Sequence, residues 1–372
     1  MIEVREVNSS KDWKAFVDLP FKLYKNSAFW VPPIKKNELK SFDPSNDIFK
    51  TVDAKFLLAY KDNQVVGRVV AIINWTEIKQ LNKCKVRFGW LDYENDVEIL
   101  SALLHEVETF GKLHNLEYME GPMGFSNMDK AGMLTQGFDY KATMIGIYNH
   151  EYYYKHIQEL GFFPEAEWLE YKFGFDDIDI DKSKRLADML AKRYNVSTFQ
   201  FNSIDELMPY VDEMFTLLNK TYAELQSFVP IEQFQVEHYK EKYLKFIHPD
   251  FISCVKDENG KMVAFAITMP SFTEGFQKAK GSLYPFGWWH LMQSMKKSNH
   301  AEFYLIGIDP AYQNKGLNAL MFQQLHENYQ KHGIRTIETN PLLEENLKVQ
   351  QLWKTFNPVT HKRRKTFRKN LE

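Results

Sequence analysis

The stretch IGIDPAYQNKGLNALMFQQL, residues 306–325, decides how the rest of the chain is read. It opens on the end of an apolar run, which Asp309 and Pro310 close, as proline closes a strand. After a short loop with one glycine, Leu317, Leu320, Met321 and Leu325 recur at helical spacing, and Gly333 supplies a stop. A helix starting there leaves four backbone N–H groups unpaired and carries about half a positive charge at that end. A phosphate satisfies both. Gly316 permits close approach and unusual dihedrals, and Lys315 adds charge beside it. A lone glycine there is by default an ordinary strand–turn–helix connection; a phosphate cradle over Gln313, Asn314, Lys315, Gly316, Leu317 and Asn318 is the functional alternative. The alternatives G-x-x-x-x-G-K-[ST] and G-x-G-x-x-G after a strand are both absent.

Working outward, the pattern occurs twice. Residues 54–74 read as a hairpin turning at KDNQ, and residues 250–270 repeat the design around KDENGK. Each hairpin is followed by an intervening segment, a further strand and an amphipathic helix. In the first copy the helix carries Ile99, Leu100, Leu103, Leu104, Val107 and Phe110. Each copy then offers a short strand and another helix: LEYMEGP and HEYYYKHIQELGF, then TIETN and EENLKVQQLWKTF. The period is too long for a solenoid, and a duplicated unit fits. The join falls near YKFGFDDIDIDKSK, which divides the chain into 1–175 and 176–372. A chain of 372 residues carries two domains comfortably.

Composition narrows the partners. Forty-seven Lys and Arg against 49 Asp and Glu give no general pull toward nucleic acid or membrane. The exception is the end, HKRRKTFRKNLE, expected to be a solvated basic terminus or edge strand, with attraction to an acidic ligand as the alternative. No signal-peptide pattern opens the chain, and no run reaches the roughly 18 apolar residues of a membrane helix. Cys84 and Cys254 form no metal or disulfide pattern and are expected as free thiols in a cytoplasmic protein. No metal-ligand spacing is visible.

Three segments stand outside the repeat or invite a site. Residues 271–300 carry Phe286, Trp288 and Trp289 and read as an inserted helix packed on the body, or as a lid or substrate wall. FWVPPIKKNELKSFDPSNDIF reads as an irregular packed loop. GPMGFSNMDKAG, with Ser126, Asn127 and Asp129, reads as a tight connection or as part of an acceptor pocket between the units.

IDPAYQNKGLNALMFQQL resembles the pyrophosphate-binding motif of the GNAT superfamily (GCN5-related N-acetyltransferases): Gln or Arg, two residues, Gly, one residue, Gly or Ala. Asn318 departs from the last position. ENLKVQQLWKTFNP resembles the motif that follows, with Asn346 and Leu352, but Trp353 stands where a general-acid Tyr is frequent, and Asn357 where Gly is. The first copy keeps Leu-Gly-Phe at its end but has lost the glycine loop, and Asp92, Glu94, Asp96 and Glu98 would repel a pyrophosphate. LPFKLYKNSAFWVPP, VVGRVVAIIN, EGPMGFSNMDKAGMLTQGFD and NHEYYYKHIQELGFF resemble a bacterial group of tandem GNAT-like proteins.

The resemblance implies a mixed α/β (α+β) chain of two tandem GNAT-like domains, each a mostly antiparallel twisted sheet with flanking helices. It implies acyl transfer, acetyl in the first instance, from acetyl-CoA or another acyl-CoA to a small amine, amino acid or peptide. The cradle would hold the pyrophosphate. N–H groups near Ile306 and Ile308 would polarise the thioester carbonyl. Asn340 and Asn346 would orient pantetheine or the amine, or equally serve as turn and cap residues. Glu302 or Glu338, acting through water, is the candidate base and Tyr304 the candidate acid; strand alternation places Glu302, Tyr304 and Ile306 on one face if no bulge intervenes. A non-catalytic module that binds a ligand or partner is the alternative. The oligomeric state is not legible.

Overall fold

The computed structural model describes residues 1–126, 128–175, 180–223, 229–243 and 247–371, with backbone only for 180, 241–243 and 355. Asn127 and the middle of the expected join lie outside the described residues.

The first half runs β1 (Ile2–Glu6), α1 (Ser10–Leu23), α2 (Lys35–Ser41), β2 (Val52–Lys61), β3 (Gln64–Asn74), α3 (Trp75–Leu81), β4 (Lys85–Tyr93), α4 (Val97–Leu113), β5 (Tyr118–Gly121), β6 (Met133–Gln136), α5 (Glu151–Glu159) and β7 (Phe163–Gly174). The second runs α6 (Ile180–Tyr194), β8 (Ser197–Phe199), α7 (Ile204–Tyr222), α8 (Gln233–Tyr243), β9 (Ile252–Lys256), β10 (Met262–Pro270), α9 (Thr273–Ala279), α10 (Gly287–Lys297), β11 (His300–Ile308), α11 (Leu317–His332), β12 (Thr336–Thr339), β13 (Leu342–Leu343), α12 (Leu347–Trp353) and β14 (Val359–Asn370).

Local chemistry explains the elements. Asp62 and Asn63 both take positive φ at the β2–β3 turn, as a two-residue hairpin with right-handed strand twist requires. Ile99, Leu100, Leu103, Leu104 and Val107 are buried along one stripe of α4, and Leu317, Leu320, Met321 and Leu325 along α11. Gly333 ends α11 in the left-handed region at φ +69°. The passage expected to be an irregular loop contains α2, which begins just past Pro32 and Pro33.

All fourteen strands form one sheet, ordered β1-β2-β3-β4-β5-β14-β7-β12-β11-β10-β9-β8 along its main path. Within each half, four strands are antiparallel neighbours and the next pair, β4–β5 or β11–β12, is parallel. The closing strands are exchanged. β14, the last of the chain, lies beside β5 of the first half, and β7, from the first half, lies beside β12 of the second. Apolar residues alternate across β3: Val69, Ala71 and Ile73 face the α4–α5 core, while Val70 and Ile72 face the α1 side. The second half repeats this, with α6, α11 and α12 over one face of β10 and α7 and α8 over the other.

The exchange overturns the expectation for the basic end. HKRRKTFRKN is neither solvated nor an edge but a central strand. Lys362 and Arg364 are fully buried, and their charges meet Glu170 of β7 and Glu338 of β12. Arg363 and Lys365 pair with Glu167, at 2.6 and 2.9 Å. Buried cations persist only when so paired, because an isolated charge in a low dielectric is prohibitively costly.

Candidate functional site

The site grows from a flaw in strand pairing. β10 and β11 are in register until Leu305 faces Ile267, after which Phe303 faces Thr268, so Tyr304 is the extra residue of a β-bulge. This is the bulge on whose absence the expected alternation depended. Glu302 and Tyr304 do share a face, but the bulge turns Ile306 to the opposite core, with Phe303 and Ile308. At the same place β12 parts from β11: the parallel register ends at Phe303 and Thr339. Asn340 bridges the fork, its N–H donating to the Phe303 carbonyl (3.0 Å) and its Nδ2 to that of Tyr304 (2.8 Å).

Glu302 and Tyr304 form one unit. The Tyr304 hydroxyl donates to Glu302 Oε2 at 2.8 Å, and the Ser271 hydroxyl donates to Oε1 at 2.6 Å. Burial raises the Glu302 pKa, and these hydrogen bonds only partly offset that. Glu338, across the parallel register from Glu302, has a different fate. Its carboxylate meets the Lys362 ammonium, with His361 Nε2 at 3.1 Å and His300 Nε2 at 3.4 Å. Burial opposes its charge, but Lys362 and the two imidazoles outweigh burial and hold its pKa well below the usual value. A carboxylate so stabilised is a poor proton acceptor, so Glu338 is corrected from candidate base to ion-pair anchor. Glu170, Glu338 and His361 converge without any sequence spacing announcing it, and the Lys362 ammonium already lies among them.

The cradle residues lie where the loop leaves β11. Gly316 caps α11 at φ +78° and offers no side chain to the helix end, and Asn314 is also left-handed at φ +61°. Among the described residues, no protein acceptor takes the N–H groups of Asn314, Gly316, Leu317 or Asn318. A Cβ on Gly316 would meet Leu190 of α6 at 3.0 Å. Gln313 turns its side chain back, donating to the Ile308 carbonyl at 3.3 Å. Lys315 lies over the rings of Tyr312 and Tyr194. The carbonyls of Ile306 and Ile308 accept from Tyr222 (3.0 Å) and Thr221 (3.2 Å) of α7. The first half shows the contrast: Asp96 caps α4 with its own carboxylate, accepting from the Glu98 N–H at 3.0 Å and pairing with Lys61 at 2.9 Å. That helix end is already filled by an anion.

The remaining expectations sort by burial. Asn346 caps α12, accepting from the Val349 N–H at 3.3 Å, which is the capping role the sequence left open for it. Trp353 is buried against Phe303, Phe322 and Phe173, so the residue at the tyrosine position belongs to the core, and its Nε1 has no acceptor among the described residues. Both cysteines are free, and burial raises the Cys254 pKa.

Two cavities flank this region. One of about 210 Å³ is lined by Tyr304, Leu305, Ile267, Phe265, Val211 and Met214, with Asn340 at its rim. A larger one of about 490 Å³ lies beside Trp90, a residue at the first half's own β4 bulge, and is also lined by Phe234, His238 and Tyr239 of α8. Neither cavity is lined by a residue of the 313–318 loop; the smaller is lined by Tyr304 and Leu305 of β11, the strand that leads into that loop. Met128, Asp129 and Lys130 of the glycine-rich loop border both cavities, and Ser126 Oγ lies 3.0 Å from the Tyr239 hydroxyl. That loop therefore belongs to a pocket wall between the halves. Nothing in residues 271–300 lines either cavity, which answers the substrate-wall expectation: α9 and α10 pack behind Tyr304, through Phe272, Phe276 and Leu291.

A sequence profile of the acetyltransferase (GNAT) family matches residues 211–357. The chain is 25% identical over 378 residues to Protein YghO of Escherichia coli, covering 99% of this chain and 95% of that one. It is 23% identical over 319 residues to a bacterial ceramide synthase of Caulobacter vibrioides, covering 84% and 82%. Among solved structures, a tandem GNAT protein from the clavulanic acid biosynthesis pathway superposes with a TM-score of 0.59 at 11% identity, covering 100% and 99%. A GCN5-related N-acetyltransferase from Sphaerobacter thermophilus gives 0.53 at 8%, covering 100% and 96%.

Proposed function

We propose, from the match of residues 211–357 to the GNAT acetyltransferase family and the tandem GNAT fold of the whole chain, an acyl-CoA-dependent N-acyltransferase working in the second half. The observation that carries the proposal is the uncapped N-terminus of α11 at Gly316, on the loop leaving the strand whose bulge residue, Tyr304, opens on an apolar cavity. Free N–H groups and a helix dipole suit the diphosphate of coenzyme A. From Ile308 back to Tyr304 is about 13 Å of strand at 3.3 Å per residue, a span suited to a pantetheine arm.

The amine nitrogen attacks the thioester carbonyl, the C–N bond forms and the C–S bond breaks. The proton lost by the amine ends on the released thiol. Tyr304 faces the cavity and is the proton donor to the departing sulfur. Glu302, hydrogen-bonded behind it and with its pKa raised by burial, takes up the amine proton through Tyr304 or water. The N–H groups of the Ile306–Ile308 stretch remain the proposed polariser of the carbonyl.

The cavity refines the acyl group. Val211, Met214, Leu218, Phe265 and Ile267 offer methyl and aromatic surface with little to hydrogen-bond, which favours an acyl chain longer than acetyl. A relative named as a ceramide synthase points the same way, since a ceramide carries a long N-acyl chain. The acceptor is then a small or amphipathic amine. A non-catalytic ligand-binding module is the competing reading, favoured by the burial of Trp353 at the tyrosine position.

Calorimetric titration with acetyl-CoA and octanoyl-CoA, followed by amine-dependent thiol release, separates the two. Binding that Gly316→Glu abolishes, with thiol release in the native protein, is expected. No heat with either thioester overturns the proposal, and binding without release on any amine leaves the ligand-binding module.

A further inference from the structure

The insert between β10 and β11 has two apolar faces, and only one is used inside the molecule. Its inner face, with Phe272, Phe276, Ala279 and Leu291, packs into the cluster that holds Tyr304. Its outer face is bare. Tyr284, Phe286, Trp288, Trp289 and Met292 are 86, 68, 57, 47 and 43% exposed. Five of the fifteen large hydrophobic side chains exposed among the described residues thus fall within nine consecutive positions, whereas isolated exposed apolar residues are ordinary.

The platform is held in place. Gly275 lies so close to α10 that a Cβ would come within 2.9 Å of the Leu291 Cα, and Gly287 so close to the loop that one would come within 1.9 Å of the Ser282 carbonyl oxygen. Gln277 Nε2 ties α9 to the carbonyls of Ala28 (2.8 Å) and Trp30 (3.0 Å). Along the chain, Glu274 is the only acidic residue of the insert, and basic residues dominate the rest. From residue 275 to 301 there is no Asp or Glu, while Lys278, Lys280, Lys296 and Lys297 are exposed. Lys278 pairs with Glu274 at 3.8 Å; Lys280, Lys296 and Lys297 have no acidic partner among the described residues.

From this we infer that the outer face of the insert docks on the headgroup layer of an anionic lipid bilayer. Tryptophan and tyrosine favour that layer because each joins an apolar ring to a polar edge. Lysines around an aromatic face add attraction to anionic headgroups, and their long stems let the charge remain in water. The chain's near-neutral total is no objection, because screening makes attraction a local matter of charges within about 10 Å of the surface. Docking here is surface attachment: among the described residues no helix is long and apolar enough to cross a membrane. The inference stands apart from acyl transfer, although the inner face of the same insert packs against Tyr304, so an amphipathic acceptor would meet the site near its source.

The full chain is mixed with vesicles of phosphatidylcholine alone and of equimolar phosphatidylcholine and phosphatidylglycerol, then sedimented. Co-sedimentation with the anionic vesicles is expected, falling at least about tenfold in Trp288→Gln/Trp289→Gln and again in Lys296→Glu/Lys297→Glu. Brominated lipid should quench the native fluorescence, and Trp288→Phe/Trp289→Phe should retain binding while losing the quenching. That second pair keeps the question open to a decision if the glutamine variant misfolds. Failure to bind anionic vesicles, or binding that both substitutions leave unchanged, overturns the inference. So does self-association or capture of a protein through this face with no vesicle binding.

Discussion

The hydroxyl of Tyr304 donates to the carboxylate of Glu302 at 2.8 Å, between two residues on the same side of one strand, just before that strand's pleat is broken. The pair joins a group facing the cavity to a buried group whose proton affinity is raised. Glu302→Gln preserves an acceptor for Tyr304 but cannot titrate. We expect kcat to fall by about 10²-fold, with binding of acyl-CoA unchanged. Stability should move the other way. A raised folded pKa gives stability that is fully present below the unfolded value of 4.5 and lost as pH rises through the folded pKa. Glu302→Gln should therefore be at least as stable as the native protein at pH 8, measured by urea unfolding. An unchanged kcat removes Glu302 from the chemistry.

Glu338 carries the opposite sign. Its folded pKa is depressed, so its contribution is present above the unfolded value of 4.5 and fades as pH falls toward the folded pKa. Glu338→Gln leaves Lys362 buried beside Glu170 alone, and should cost about 3–5 kcal/mol at pH 7. The difference between native and variant should shrink on acidification below pH 4.5, read from guanidinium midpoints. A loss of under about 1 kcal/mol would show the network to be dispensable.

Gly316 is constrained twice, by φ +78° and by Leu190 at 3.0 Å from an added Cβ. Gly316→Ala should cost about 1–2 kcal/mol in thermal unfolding and weaken acyl-CoA binding in calorimetry. Asp96→Ala, at the equivalent helix end of the first half, should leave that binding unaltered, because a carboxylate there already excludes a phosphate. Equal losses in the two variants would deny the second half its special role.

Trp353 stacks on Phe322 with ring centroids 5.2 Å apart and lies within 4.8 Å of Phe303. Trp353→Tyr should leave kcat within about twofold and cost stability through lost packing; Trp353→Ala should cost about 3–5 kcal/mol. A large rise in kcat on Trp353→Tyr would restore that position to the active site.

Legibility followed the range of the forces involved. The Asp62–Asn63 turn, the stripes of α4 and α11 and the glycine at the start of α11 are local, set by dihedral preference and period, and they could be read directly. The bulge at Tyr304 could not, because it depends on a mismatch between β10 and β11 that neither strand shows alone. Lys362 and Arg364 misled for a related reason: a charged run reads as solvated until its carboxylate partners, 24 to 194 positions away, are known. Trp353 likewise declares itself core only once Phe173 of the first half arrives against it. The near-neutral total charge hid the lysines around the insert, since a sum discards position.

The exchange of β7 and β14 sets an order of events during synthesis. The partner that β5 needs is β14, Val359–Asn370, made long after β5 itself, so the first half leaves the ribosome with its sheet unfinished and an edge exposed. β7 emerges early but waits for β12, whose Thr336 pairs with Gly174 and whose Glu338 pairs with Lys172. Neither half is a unit of biogenesis. A nascent chain stalled before residue 359 should depend on chaperones that hold it, and severed halves should regain structure only when mixed.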